Sequence, residues 1–388
     1  MYLNRKTNTT WRTHFFDNVR ETISKELSSF DDEPEYRLKL IQNGINKYSQ
    51  DTSNKGSMMG FNYCLHAFLH VQKYGGLRVE DVEKVLEVAH NILQYQGVKP
   101  MGSKMSVHYG HLYSAIGQIL SKKGMVFQSA WYQQLATTSY SSSEQFRGYS
   151  LLVSGRRLLR IGEACYAIEK LLLSLKEFEP GSKFHIQAMS SLALAYFLLD
   201  KREKLAGLVQ DQGGSKENLE EVAWLNLWSE CRAQKDYTKL MNSCKGKGAF
   251  AGSVYVLDAK LLSYCFKEPK WMNSLPKMST LIVQKKAYSR YSGKVIMSLK
   301  ILNDLHDNTL PLPVRLTSAH QLLNTSTETF SLLEEILVLG ALTNWLNKSD
   351  LPELGLISQA KCESISLQLT SGKNRDCLGI LPSKGLKT

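Results

Sequence analysis

Proline is scarce, with nine in 388 residues, and each one (Pro34, Pro100, Pro180, Pro269, Pro276, Pro311, Pro313, Pro352 and Pro382) falls at an apparent boundary. Proline breaks helix interiors, so the stretches between are free to be helical. Long apolar runs are missing too. The one extended stretch, Ser331 to Leu346, is interrupted by Glu334 and Glu335, which argues against a transmembrane helix and against membrane insertion. Cysteine pairing is another absence: Cys64, Cys165, Cys231, Cys244, Cys265, Cys362 and Cys377 form an odd set without a C-x-x-C pair and read as reduced thiols. Strand-like alternation is nowhere sustained. After Met1-Tyr-Leu-Asn-Arg-Lys6 the chain runs into polar Thr and Asn rather than an apolar signal segment, so a cytoplasmic protein is expected.

Catalytic motifs are equally thin. Gly148-Tyr149-Ser150 lacks the second glycine of a nucleophile elbow. Lys245-Gly246-Lys247-Gly248 is too short for a phosphate loop and follows no strand, so it reads as a solvated connection. His66 and His70 have the i, i+4 spacing of two metal ligands, but Leu65, Phe68 and Leu69 surround them and no third ligand is indicated. His108 and His111 lack a nearby acid. Their plainer reading is as core histidines. The expectation is a non-enzymatic protein with no cofactor and no metal.

What is present is helical periodicity. Ala164, Ile168, Leu171, Leu175 and Phe178 recur at steps of four and three, as do Phe184, Ala188, Leu192, Ala195 and Leu199. Four further patterns run over Trp11–Ser29, Glu33–Tyr48, Met58–Tyr74 and Val79–Tyr95. A long helix is expected over residues 285–306, and about three more from Pro311 to Leu369. Ser141-x-x-Glu144, Thr325-x-x-Glu328 and Asp350-x-Pro352-Glu353 read as helix starts with a cap oxygen. The fold class is all-α.

A repeat overlies this pattern. Gly117, Gly155 and Ala193 are 38 residues apart, and so are Leu120, Leu158 and Tyr196, and Gly124, Gly162 and Asp200. A small residue near a crossing lets two antiparallel helices approach, and the turn residue closes each helix. Later turns are expected at Gln234-Lys235 and Lys267-Glu268, with a shorter period. In the segment Gly148 to Pro180, the positions Leu151, Gly155, Leu158, Gly162, Ala167, Leu171 and Pro180 resemble the tetratricopeptide (TPR)-like helical repeat, in a divergent form.

That resemblance implies an α-solenoid of antiparallel helix pairs, a class that serves mostly as protein-binding scaffolds. It divides the chain into residues 1–100, an N-terminal helical bundle or atypical repeats; 101–284, the repeat array; 285–369, C-terminal helices with a basic first helix and an acidic cap; and 370–388, a flexible tail. It also implies that the first helix of each pair lines a concave groove. Carried over by phase, the polar groove positions are His111, Ser114, Gln118 and Lys122, then Tyr149, Arg156 and Arg160, then Gln187 and Ser190, then Arg232. The same phase puts Leu194, Phe197 and Leu198 there, as an apolar pocket or a drifted register.

Charge supplies the partner chemistry. The net charge is +12, and residues 251–300 hold nine Lys or Arg against two acids, while 301–350 hold two against six. Lys286, Arg290 and Lys294 form a stripe at i, i+4 and i+8, joined by Lys285. The leading expectation is a protein partner, an acidic peptide or subunit, held in the basic groove. The alternative is a nucleic-acid-associated or transcription-regulating protein that uses the basic 251–300 region.

Overall fold

The computed structural model describes residues 5–76, 78–95, 106–123, 125–141, 143–210, 220–250, 255–266, 275, 295–323, 332–349, 351–370, 372–373 and 375–381. Among the described residues the chain has seventeen helices and no strand beyond one isolated bridge, Glu163 to Thr370. No helix among them is long and apolar enough to cross a membrane. Two compact units are formed, Met1–Arg157 and Leu158–Thr388.

The first unit holds α1 (Arg5–Ser28), α2 (Pro34–Tyr48), α3 (Asn54–Tyr74), α4 (Val79–Tyr95), α5 (Ser106–Lys122), α6 (Val126–Ser139) and most of α7 (Glu144–Arg160). Its hub is α3, against which α1, α2, α4 and α5 pack. Residues 60–68 of α3 are all buried, as an all-round contact helix requires. Local signals set the ends. The Ser53 hydroxyl accepts from the Gly56 N–H at 3.0 Å to cap α3, and Pro34 occupies the start of α2, where its missing N–H costs nothing. One core runs from Ile23 and Leu27 through α2, α3 and α4 to Ile119 and Leu120 on α5. A boundary near residue 100, as the sequence suggests, would therefore cut through a shared core.

The close approach of α5 and α6 occurs at Gly117. There the Ser129 hydroxyl donates to the Gly117 carbonyl at 2.7 Å, and the buried Arg157 donates from Nη1 to the Ser129 carbonyl at 3.0 Å. A methyl group at position 117 would overlap the Arg157 guanidinium. The small residue is thus fixed by a buried cation as well as by helix crossing.

The second unit contains α8 (Ala164–Leu175), α9 (Lys183–Leu198), α10 (Arg202–Gln210), α11 (Glu220–Gln234), α12 (Thr238–Ser243), α13 (Tyr255–Phe266), α14 (Val295–His306), α15 (Leu312–Leu323), α16 (Leu332–Lys348) and α17 (Pro352–Leu369). The stretch noted for its apolar character becomes the central helix. Residues 335–346 of α16 are all buried, and α13, α14, α15 and α17 pack around it. Residues 255–265 of α13 are buried throughout as well. Because α13 packs on α16, the expected division at residue 284 also separates parts of one core.

The helix closures repeat in detail. The Met125 N–H donates to the Leu120 carbonyl, Glu163 to Leu158, Lys201 to Tyr196 and Asp236 to Cys231, in each case across five residues. A second bond runs from Gly162 to Leu159, Asp200 to Phe197 and Lys235 to Arg232. This pairing needs a left-handed residue after the helix, and Gly162, Asp200 and Lys235 have φ of 89°, 55° and 55°. At Gly162 glycine is doubly required, since a side chain would also strike the Gln368 carbonyl.

Two expectations are corrected. The helix start at Ser141 lies two residues too early, because Arg147 donates to the Ser143 carbonyl and α7 begins at Glu144. Likewise α17 starts after Leu351, which makes no side-chain cap, with Pro352 in its first turn. The start at Thr325 lies outside the described residues. Within the expected tail, residues 375–381 are packed against the fold, and residues 382–388 lie outside the described residues. Cys377, Leu378 and Ile380 are buried, the Tyr237 hydroxyl donates to the Gly379 carbonyl at 3.0 Å, and the Cys377 N–H donates to Ser366 Oγ at 2.7 Å. Asp376 accepts from the Ile380 and Leu381 amides at 2.9 and 3.2 Å, which curls the segment on itself. Three apolar side chains in a Gly- and Lys-rich stretch are enough to dock it.

Candidate functional site

Within the first unit, three helices each send one row of side chains toward a common cavity of about 270 Å³. From α3 come Leu65, Leu69 and Gln72, at steps of four and three; from α5 come His111, Ser114 and Gln118, at three and four. Ala115 of α5, Phe146, Tyr149 and Ser150 of α7, Tyr140 of the preceding turn and Arg20 of α1 complete the lining. The rows converge because the opposite faces of α3 and α5 are committed to the core.

Polar contacts order the interior. Gln72 Nε2 donates to Gln118 Oε1, and the Tyr140 hydroxyl and His111 Nδ1 share a hydrogen bond at 2.8 Å. The His111 ring meets Phe146 edge to face at 4.8 Å between centroids. Burial lowers the His111 pKa to about 4, with the charges of Arg20 and His108 acting in the same direction and Asp17 opposing. His111 is therefore neutral at physiological pH. Arg20 is the only formal cation among the lining residues, and it makes no ion pair among the described residues. Leu69 and Tyr149, the latter 41% exposed, stand at the mouth. The arrangement places a guanidinium, four hydroxyl-bearing side chains (Ser114, Tyr140, Tyr149 and Ser150) and an amide pair beside an apolar wall, a set of donors able to meet a carboxylate.

Behind the cavity, His66 and His70 each place Nε2 on a different backbone carbonyl, Arg20 at 3.4 Å and Pro34 at 2.8 Å. Among the described residues no group of three or more His, Cys, Asp or Glu could hold a metal ion.

The remaining sequence-derived positions divide. Gln118 and Tyr149 line the cavity together with His111 and Ser114. Arg156 is exposed two turns beyond Tyr149 on the same row of α7, about 10 Å along the axis. Arg160, at the end of that helix, is exposed. Gln187 and Ser190 are half-buried on α9. The Lys122 side chain and the basic residues Lys285, Lys286, Arg290 and Lys294 lie outside the described residues.

Arg232 does not face a groove. Its side chain is 7% exposed, and it donates to the carbonyls of Phe197 (3.2 Å) and Cys377 and to the Asp200 carboxylate. The guanidinium also sits 4.7 Å over the Phe197 ring. Phe197 and Leu198 are core residues, with Phe197 packed 5.0 Å from Trp228. Of the three apolar positions, Phe197 and Leu198 resolve as interior packing and Leu194 is half-buried. Sequence reasoning missed Arg20, Gln72, Tyr140 and Phe146. Arg20 and Gln72 belong to helices outside the repeat phase, so no register could align them with α5.

No protein-family model, curated protein or solved structure matches the chain.

Proposed function

We propose that the chain is a non-enzymatic helical-repeat scaffold of TPR-like character that holds an acidic, extended segment of a partner protein in the cavity of its first unit. The observation that carries this reading is the convergence of Arg20, His111, Ser114, Gln118 and Tyr149 on one cavity, with Arg156 the next cation along the α7 row. The repeat reading is supported by the recurring closures at Leu120, Leu158, Tyr196 and Cys231. The backbone of an extended peptide would use the Gln72–Gln118 pair and the hydroxyls.

A display selection of short random peptides on the full chain tests the proposal. Enrichment of Asp and Glu, lost when Arg20 and Arg156 are changed to Glu, is the expected result. No selected consensus, or one unaffected by both changes, overturns it. Micromolar binding of a random DNA duplex that falls steeply with salt, with no peptide consensus, would transfer the reading to nucleic acid.

A further inference from the structure

A second cleft in the first unit has a different chemistry. It encloses about 440 Å³ between α4 on one side and α5 and α6 on the other. Its floor is apolar, formed by Leu86, Ile116 and Leu120, each of which also belongs to the core. One wall is Phe127 and Trp131, one turn apart on α6 and 59% and 65% exposed. Large aromatics this exposed, side by side beside a cleft, are unusual on a free surface. The facing wall carries Glu83, the one charged residue among those lining the cleft.

Glu83 is part of a row. Glu80, Glu83 and Glu87 follow one another along α4 at steps of three and four, and all are exposed. They extend over about two helical turns, roughly 10 Å. Of the neighbouring cations, Arg78 pairs with Asp81 at 3.2 Å and also lies 3.9 Å from the Glu80 carboxylate, and the charge of Lys84 acts on Asp81. Glu83 and Glu87 make no ion pair among the described residues. The cleft is thus an acidic-rimmed apolar trough on a chain whose net charge is +12.

The geometry points to a docking site for a basic amphipathic helix of a partner protein, with its apolar face seated between Phe127, Trp131 and the floor, and its Lys or Arg flank along the Glu80, Glu83 and Glu87 row. This goes beyond the acidic-segment reading and uses none of its residues. Charge complementarity selects the occupant. An acidic segment is repelled by the rim, whereas a Lys- or Arg-bearing flank is attracted to it. Large aromatics are enriched at the centres of such interfaces, and an apolar trough is the surface on which the apolar face of an amphipathic helix docks.

The probe is a synthetic helical peptide of Leu and Lys with all Leu on one face, compared with its twin in which every Lys is Glu, each titrated into the full chain while Trp131 fluorescence is followed by difference from Trp131→Phe. The Leu/Lys peptide is expected to bind roughly tenfold or more tighter than the Leu/Glu twin. Glu83→Lys with Glu87→Lys should reverse that preference, and Phe127→Ala with Trp131→Ala, which removes the fluorophore and is therefore followed by the anisotropy of a dye-labelled peptide, should weaken binding of the Leu/Lys peptide at least tenfold. All four positions are exposed, and circular dichroism on each variant reports retained helix. Should the charge-reversed variant not fold, Glu83→Gln with Glu87→Gln must still abolish the preference. Equal binding of the two peptides, or a preference untouched by the glutamate changes, overturns the proposal. So does a dimer in sedimentation that Trp131→Ala dissolves, or binding to phosphatidylserine vesicles, without peptide binding, that the same change removes.

Discussion

In the first unit, the α5 row of His111, Ser114 and Gln118 ends in open volume beside Arg20; in the second, the row on α9 and α11 ends in packed core, where Phe197 lies against Trp228 and Arg232 holds two carbonyls. The sequence places both rows in one phase of the same repeat. Phase decides which face of a helix a side chain occupies. What covers that face is decided by segments outside the repeat, here residues 375–381, whose Cys377 carbonyl takes an Arg232 N–H. The same repeat phase therefore leaves side chains lining a cavity in one unit and makes a cation an internal strut in the other.

The largest expected effect breaks the strut. Arg232→Ala leaves the Phe197 and Cys377 carbonyls and the Asp200 carboxylate without their shared donor, and should cost about 3 kcal/mol, read as a lowered denaturation midpoint and faster proteolysis near residues 375–381. A change within about 0.5 kcal/mol would place Arg232 with the exposed arginines and erase the contrast between the units.

Next comes pH. Burial lowers the pKa of His66 and of His108 from 6.5 to about 4, and both lie in the first unit. Between those values the unfolded chain takes up protons that the folded rings do not, so stability falls as pH falls from 6.5 toward 4. At pH 5 the loss is about 2 kcal/mol for each ring, and His66→Gln with His108→Gln should make the dependence in chemical denaturation shallower, leaving the share of His111 and His306, whose pKa values burial also lowers to about 4. A slope equal to that of the parent would mean that these histidines titrate normally in the fold.

The smallest effect on stability is expected for Arg156 and Arg160 changed together to Glu, within about 0.5 kcal/mol for each exposed site. Binding of an acidic peptide should nevertheless collapse, since attraction becomes repulsion. The same reversal at Lys286 and Arg290 is the control. If only the control abolishes binding, the basic 285–294 stretch is the interaction surface.

Much of the helix order was legible in the sequence. The breaks at Pro34 and Pro352, the small residue at Gly117 and the turns at Gly162, Asp200 and Lys235 are local signals, and each acts locally in the fold. The patterns Glu33–Tyr48 and Val79–Tyr95 match α2 and α4 to within a residue. Long-range closure was not legible. Ile380 against Gly340, Arg157 filling the space over Gly117 and Arg20 reaching the α5 row are contacts between segments that no period relates. The candidate site was half visible for the same reason: His111, Ser114, Gln118 and Tyr149 follow from repeat phase, whereas Arg20 and Gln72 come from helices whose phase could not be tied to it.

The central claim is that the first-unit cavity recognises carboxylates through Arg20. It is tested most directly by titrating the full chain with the consensus acidic peptide from the display selection and with its twin in which every Asp and Glu is the corresponding amide. The account predicts that the acidic peptide binds roughly tenfold tighter or more, as a charge-assisted hydrogen bond would give, and that Arg20→Gln makes the two peptides equal. Equal affinities for the parent chain, or an acidic preference that survives Arg20→Gln, would contradict it.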